Sequence, residues 1–310
     1  MHPALSVIFF TVTAGAGYGF LMLLGFIRYT GNVPGLSVDQ LVFGGIIGLI
    51  LVTAGLLSST FHLANPRNAW RAFTRFRTSW LSREAVFAIL FYPLSLAWLL
   101  SEWFNGASGL SIMLGWLTVL LALVVLICTA MIYASLKTIR QWHSPLVPVV
   151  YVLLGLSLGA LVLLVFLSSQ ELIDGTVLKV TATLLALAAL VKIAYFVVIG
   201  KPAGPSINTA LGFTKATVKL LDVGHSSGTF LTDEFGFQVA RTRIFWLRII
   251  TLVCAFLIPV LIVSGVLGTP GTGSLIVALV IGWLGISVER WLFFAEARHV
   301  VNLYHGAQAT

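Results

Sequence analysis

Apolar runs long enough to cross a bilayer recur along the chain, divided by shorter polar stretches. A hydrocarbon core about 30 Å thick takes roughly 20 helical residues to cross. Eight segments meet that length: about 4 to 27, 39 to 62, 84 to 104, 110 to 135, 145 to 168, 177 to 199, 243 to 267 and 273 to 295. The pattern predicts an all-α integral membrane protein, a bundle of eight transmembrane helices forming a single membrane domain over residues 1–310. An even number of crossings places both termini on one side. Two polar interruptions stand out, a basic interfacial loop at 63–83 and a long loop at 200–242. Pro93 and Pro259 fall inside the third and seventh spans and predict kinks. The cluster AGAGYG at 14–19 lies inside the first span with no strand before it, so it reads as small residues for close helix packing, not as a dinucleotide fingerprint.

Composition agrees with the pattern: 59 % of residues are hydrophobic and 9 % charged, against about 25 % charged in soluble domains. The first apolar segment lacks a small-residue cleavage site after it and reads as a retained span. The formal net charge of +8 gains meaning only when sorted by side. Of the 18 Lys and Arg, only Arg28 and Lys179 fall at the face opposite the termini, which carries the acids Asp39, Glu102, Glu171 and Asp174. The positive-inside rule then makes the terminus-bearing face cytoplasmic and accounts for the basic excess without a nucleic-acid partner.

Candidate chemistry is sparse. Cys128 and Cys254 lie in apolar runs without CxxC spacing, which leaves no disulfide framework, zinc site or iron–sulfur site. His2, His62, His143, His225, His299 and His305 all belong to the terminus-bearing face. A haem between helices needs axial ligands nearer mid-membrane. No haem is expected, and His62 is the best-placed ligand if one is bound. Lys192, two turns inside span six, is expected to snorkel to the headgroups, with quinone or cardiolipin contact as the alternative. Trp142, Trp246 and Trp291 read as interfacial belt aromatics. A secondary transporter calls for polar residues lining a midplane path and for matching broken spans, whereas nearly all charges here gather at one interface. A transporter or structural membrane protein is the reading of a different class.

One stretch departs from this economy of charge. FHLANPRNAWRAFTRFRTSWLSRE, residues 61–84, holds five arginines. Arg67, Arg71 and Arg75 are spaced four apart and share a stripe on a helix, with Trp70 and Phe73 on a neighbouring face. This predicts a short interfacial helix at headgroup level, suited to setting topology and gripping anionic lipid. His62 ends span two and Glu84 opens span three, so the loop brings two titratable groups to one depth at the membrane edge. Ionisable groups in that position are functional candidates.

That stretch, with MHPALSVIFFTVTAGAGYG at the start, YASLKTIRQWHSPL at 133–146 and DEFGFQVART at 233–242, resembles the membrane anchor subunit of the dimethyl sulfoxide reductase family, with motifs spread over nearly the whole chain. Within that family, RTSWLSRE combined with YASLKTIRQWH is similar to the anchors of cytoplasmic, quinone-dependent sulfite dehydrogenases. The resemblance implies a multi-pass anchor in a bacterial inner membrane, without haem. It also implies a molybdopterin catalytic subunit and an iron–sulfur electron-transfer subunit as partners on the cytoplasmic side. The molybdenum cofactor and iron–sulfur clusters then lie only in those partners, and the anchor exchanges electrons with quinone or quinol. It further implies a quinone site at His62 and Glu84, the positions that match the family's histidine and glutamate. In that scheme His62 hydrogen-bonds a quinone carbonyl, Glu84 links the site to cytoplasmic water, Arg83 tunes the carboxylate, and Arg71 is a further candidate. Arg67, Arg75, Arg77, Lys137, Arg140 and His225, with the 200–242 loop, form a docking platform. If site and platform share one face, turnover is non-electrogenic. An anchor of a dimethyl sulfoxide-type reductase, taking electrons from quinol, is the alternative within the class.

Overall fold

The computed structural model describes residues 3–31, 33, 35–61, 65–200, 204–222, 227, 229 and 243–309. Its helices, in chain order, are α1 (Leu5–Thr30), α2 (Val38–Thr60), α3 (Trp80–Asn105), α4 (Gly109–Ala134), α5 (Leu146–Ser169), α6 (Gly175–Gly200), the short α7 (Ile207–Leu211), α8 (Ile244–Val263) and α9 (Thr272–Ala295). Single 3₁₀ segments occupy Pro66–Phe73 and Val300–His305. Eight of these helices, all but α7, are long and apolar enough to cross a membrane.

Polar side chains set where several helices begin. Ser37 and Gln40 form a reciprocal capping box at the start of α2, and Ser79 and Ser108 accept backbone N–H groups at the starts of α3 and α4. These caps satisfy donors that have no partner within the helix. The Ser79 cap starts α3 at Trp80, four residues before the expected boundary, so Arg83 and Glu84 lie in its opening turns. In α8, Pro259 follows a π turn at Val253–Leu257. Proline lacks an N–H and its ring clashes with the carbonyl four residues earlier, so the ladder widens there.

α1 is the hub, packed against α2, α4, α5 and α9. Its most apolar window is 78 % buried, against 28–67 % for the other spans. Glycine makes that approach possible. A Cβ on Gly19 would overlap the Gly155 carbonyl, and one on Gly159 would overlap the backbone of Gly19 and Phe20. Two small-xxx-small pairs, Gly15/Gly19 and Gly155/Gly159, therefore face each other, as membrane helices do when dispersion and not hydrophobicity drives association. Gly17 meets Gly48 and Val52 of α2 in the same way. The expected packing role of AGAGYG is observed.

The two ends of the bundle are fastened differently. At the end away from Leu5, Arg28 pairs with Glu102 at 2.7 Å, and Tyr29 donates to Glu102 at 2.7 Å or to the Ser111 carbonyl at 2.8 Å while accepting from Trp98 Nε1 at 2.6 Å. Residues that the sequence shows only as scattered charges at that face thus clasp α1 to α3 and α4. At the other end, the 136–144 loop is laced to the segment after α9. Ile139 bridges His299, Arg298 N–H donates to Gln141 Oε1 at 3.1 Å, and Val300 N–H donates to the Thr138 carbonyl at 3.1 Å. Ser206 and Ile207 join the same lacing through Ala309 and Gln308. Trp142 is buried, with Nε1 donating to the Phe293 carbonyl at 2.8 Å and its ring stacked on Phe293. It is a packing residue of this joint and not a belt aromatic, because an indole N–H inside the bundle needs an acceptor there. Trp246 stays exposed at 66 %, in keeping with its expected place at an interface.

Candidate functional site

The arginine-dense loop forms a 3₁₀ turn and not the expected α-helical stripe. Pro66 occupies its first positions, the segment ends at Phe73, and turns carry the chain from Thr74 to Thr78. With three residues per turn, Arg67, Trp70 and Phe73 line up in place of Arg67, Arg71 and Arg75. A segment this short has no interior ladder to hold an α pitch. Arg67, Arg71, Arg75 and Arg77 are all exposed, as are Trp70, Phe73 and Phe76. Arg71 lies 5.9 Å from the Trp70 ring centroid.

Arg83 turns away from its sequence neighbour Glu84. Its Nε and Nη2 donate to the carbonyls of Phe76 and Arg77 at 3.1 and 2.8 Å, and its guanidinium covers Trp80 at 4.2 Å. It staples the loop onto α3, so these donors serve the loop backbone and not the Glu84 carboxylate.

Glu84 is 5 % exposed and points into the bundle, where Thr129 of α4 donates its hydroxyl to Oε1. Thr129 Oγ1 also lies 3.1 Å from the Val125 carbonyl. Tyr18 of α1 lies within electrostatic reach of Glu84. Its ring sits edge-on to Phe91 at 5.0 Å, and its buried hydroxyl has no protein partner among the described residues. Three helices thus bring a carboxyl, a hydroxyl already bonded to it and an unengaged phenol into one region under the arginine loop. These groups suit a ligand with carbonyl or hydroxyl oxygens, since each donates or accepts and the carboxyl exchanges a proton. His62 and His225 lie outside the described residues. Lys137 is exposed on the 136–144 loop, and Arg140 is half-buried with Nη2 donating to the Val198 carbonyl at 3.3 Å.

A second polar cluster went unread in the sequence. Lys192 of α6 does not snorkel: it is 1 % exposed and forms an ion pair with Glu289 of α9. Arg290 adds Nη2 to Glu289 Oε1 at 2.8 Å and stacks its guanidinium on Tyr151 at 4.1 Å. Lys192 Nζ sits 4.1 Å from the Tyr195 ring and 4.6 Å from Phe196, whose ring also carries Arg248 at 4.8 Å. Arg248 in turn pairs with Glu296 at 2.6 Å. About 12 Å of helix separates Lys192 from Gly200, so a carboxylate inside the bundle is nearer to its ammonium than the headgroups are. Charge is therefore not confined to one interface. The Glu-Arg dipeptide at 289–290, inside an apolar span, is the signal that would have located this cluster. Thr129 carries no such signal, because hydroxyls that bond their own helix are common in spans.

Fold and site together define a multi-pass integral membrane protein that gives each of its buried interior charges a specific side-chain partner. The chain belongs to the DMSO reductase anchor subunit (DmsC) family, whose model matches residues 1–295. It is 35 % identical to a sulfite dehydrogenase subunit of Allochromatium vinosum over the full length of both proteins. It is 26 % identical to a subunit of the anaerobic dimethyl sulfoxide reductase of Escherichia coli over 187 residues, 59 % of this chain and 64 % of that one. The family resemblance drawn from the loop motifs is thereby established, with the full-length likeness on the sulfite dehydrogenase side.

Proposed function

We propose that this chain is the quinone-binding membrane anchor of a molybdenum and iron–sulfur oxidoreductase, passing electrons from sulfite oxidation to membrane quinone. The observation that carries the reading is the buried Glu84 carboxyl, held by Thr129 at the foot of the basic loop that begins beside His62. The likeness to a sulfite dehydrogenase subunit along the entire length of both proteins favours sulfite over dimethyl sulfoxide chemistry.

Quinone supplies a two-electron, two-proton couple when bound. The residues of this chain have three tasks toward it. Glu84 exchanges a proton at its carboxyl oxygen, which burial within the bundle shields from competing water. Thr129 fixes the rotamer of that carboxyl, and Tyr18 offers a phenol to a neighbouring oxygen. His62 acts as donor to the second oxygen. The exposed Arg67, Arg75, Arg77 and Lys137, together with Arg140 and the loop containing His225, form the docking face for an iron–sulfur subunit that connects to the molybdopterin subunit. With site and platform at one cytoplasmic face, no charge crosses the bilayer.

The test is quinone-linked sulfite oxidation by the assembled complex carrying Glu84→Gln or His62→Ala. Each variant is expected to lose at least tenfold in the ratio of quinone-linked to dye-linked turnover. Unchanged ratios in both remove the site, and a complex without molybdenum removes the assignment.

A further inference from the structure

Among the described residues, the interior of the bundle at the loop end holds four charged residues at 5 % exposure or less, Glu84, Lys192, Glu289 and Arg290. With all four ionised they sum to zero, and Arg248 and Glu296 close the set as a balanced pair. Placing such groups out of water costs several kcal/mol each, and a pair of apolar side chains would join α6 to α9 without that cost. The cluster therefore does more than hold two helices together.

Its contacts extend in two directions. Toward the loops, Tyr195 follows Lys192 by one helical turn, and its hydroxyl donates to the Gln141 carbonyl at 2.9 Å, in the loop that contains exposed Lys137 and Thr138. Toward Glu84, Arg290 stacks on Tyr151, Tyr151 stacks on Tyr133 at 5.8 Å, and both tyrosines lie within electrostatic reach of Glu84. The Tyr151 hydroxyl is buried without a protein partner among the described residues. It borders a cavity of about 10 Å³ that Thr11 and Arg290 also line, and a space of roughly that size holds one water. Thr251 of α8 is likewise buried with an unengaged hydroxyl. The register that sets Gly285 against Ala255 brings Glu289, one turn on, level with Thr251.

We propose that Lys192, held by Glu289 and Arg290, is a proton-carrying group for the reaction at Glu84, exchanging its proton toward the 136–144 loop. The inference rests on the quinone reading above. Charge balance supplies the coupling. When Glu84 takes up a proton, the interior is left with one excess positive charge, and loss of the Lys192 proton restores neutrality. Reduction of one quinone to quinol consumes two electrons from the iron–sulfur partner and two protons. Both protons leave in turn from the Glu84 carboxyl, and after each transfer Lys192 takes up a proton from the loop side and passes it to Glu84, its own loss restoring neutrality. Quinol oxidation runs the same transfers backward. Arg290 and Arg248 stay charged throughout, so Lys192 is the one cation of this set able to switch. Lys192 is a positioning and relay residue, since nothing places it against the quinone itself.

Two variants of the intact complex separate relay from scaffold. Lys192→Arg keeps the charge and the Glu289 pair but cannot release a proton. Lys192→Met leaves Glu289 and Arg290 as a neutral pair. Each is expected to assemble with a melting temperature near that of the parent. Each should lower the quinone-linked to dye-linked ratio at least tenfold from pH 6 to 9, and remove the carboxylate bands of Glu289 from the redox-triggered infrared difference spectrum. Parent-like ratios in whichever variant assembles overturn the inference, as does a parent spectrum whose carboxylate bands are insensitive to Glu289→Gln. A normal Lys192→Arg complex beside an inactive Glu84→Gln complex defeats this inference alone, whereas a fully active Glu84→Gln complex defeats the quinone site beneath it.

Discussion

At the scale of single residues, buried partners decide which charges matter. Glu102 is fully buried and engages Arg28 directly, so Glu102→Ala strands the guanidinium and is expected to cost about 3 kcal/mol, read as a lower unfolding midpoint of the purified complex. Thr129→Val removes the donor to Glu84 without changing side-chain volume. It is expected to lower quinone-linked turnover several-fold while leaving assembly intact, checked by subunit stoichiometry alongside kinetics. His299 gives a pH-dependent prediction outside the spans. Burial holds its imidazole below the usual range, and its Nδ1 accepts the Val301 N–H at 3.1 Å. Because the folded state disfavours the protonated ring, this contribution is complete above the ordinary pKa of about 6.5 and is lost as pH falls from there toward the depressed value. Protection factors for amide exchange in 136–144 and 296–309, corrected for the intrinsic pH dependence of exchange, should therefore fall below that pH, and His299→Gln should flatten the dependence. The sequence made Glu84 legible because it ended a basic loop. It could not show that Arg83 turns away, since neighbours on a helix point about 100° apart.

At the scale of elements, apolar run length was a sufficient guide to the eight spans, because a helix satisfies its backbone polar groups within a single crossing, whereas a barrel strand must find partners in its neighbours and is about half as long. The details that escaped depend on local chemistry. The four-residue spacing of Arg67, Arg71 and Arg75 suggested an α-helix, but Pro66 and the short segment gave a 3₁₀ turn. Pro259 announced a disturbance in α8 without revealing the π turn that absorbs it. The glycine cluster was legible as packing, though not its partner: Gly155 and Gly159 sit four spans later and are matched to Gly15 and Gly19 only by the fold. Gly159→Val should force α1 and α5 apart at a cost of about 1–3 kcal/mol, measurable as loss of folded subunit in detergent, while Gly109→Ala, with open space around it, should be silent.

At the scale of the whole molecule, the sorting of charge by side was visible in the sequence, whereas the interior cluster at Lys192 was not. Its members come from α6 and α9, and pairing across that distance is a property of topology. The proposed placement of quinone site and docking face on one side yields a transport prediction: proteoliposomes turning over sulfite with quinone should develop no membrane potential beyond the leak control, and a sustained potential would mean that electrons or protons cross the bilayer. The central position of α1 has a consequence for biogenesis. Among the described spans it is made first, yet α4, α5 and α9, which cover it, emerge later. Its glycine and tyrosine faces must wait in lipid until translation delivers those neighbours. Nascent polypeptides arrested before α5 should therefore remain sensitive to membrane proteases and quality control, and release from that surveillance should coincide with the arrival of the fifth span.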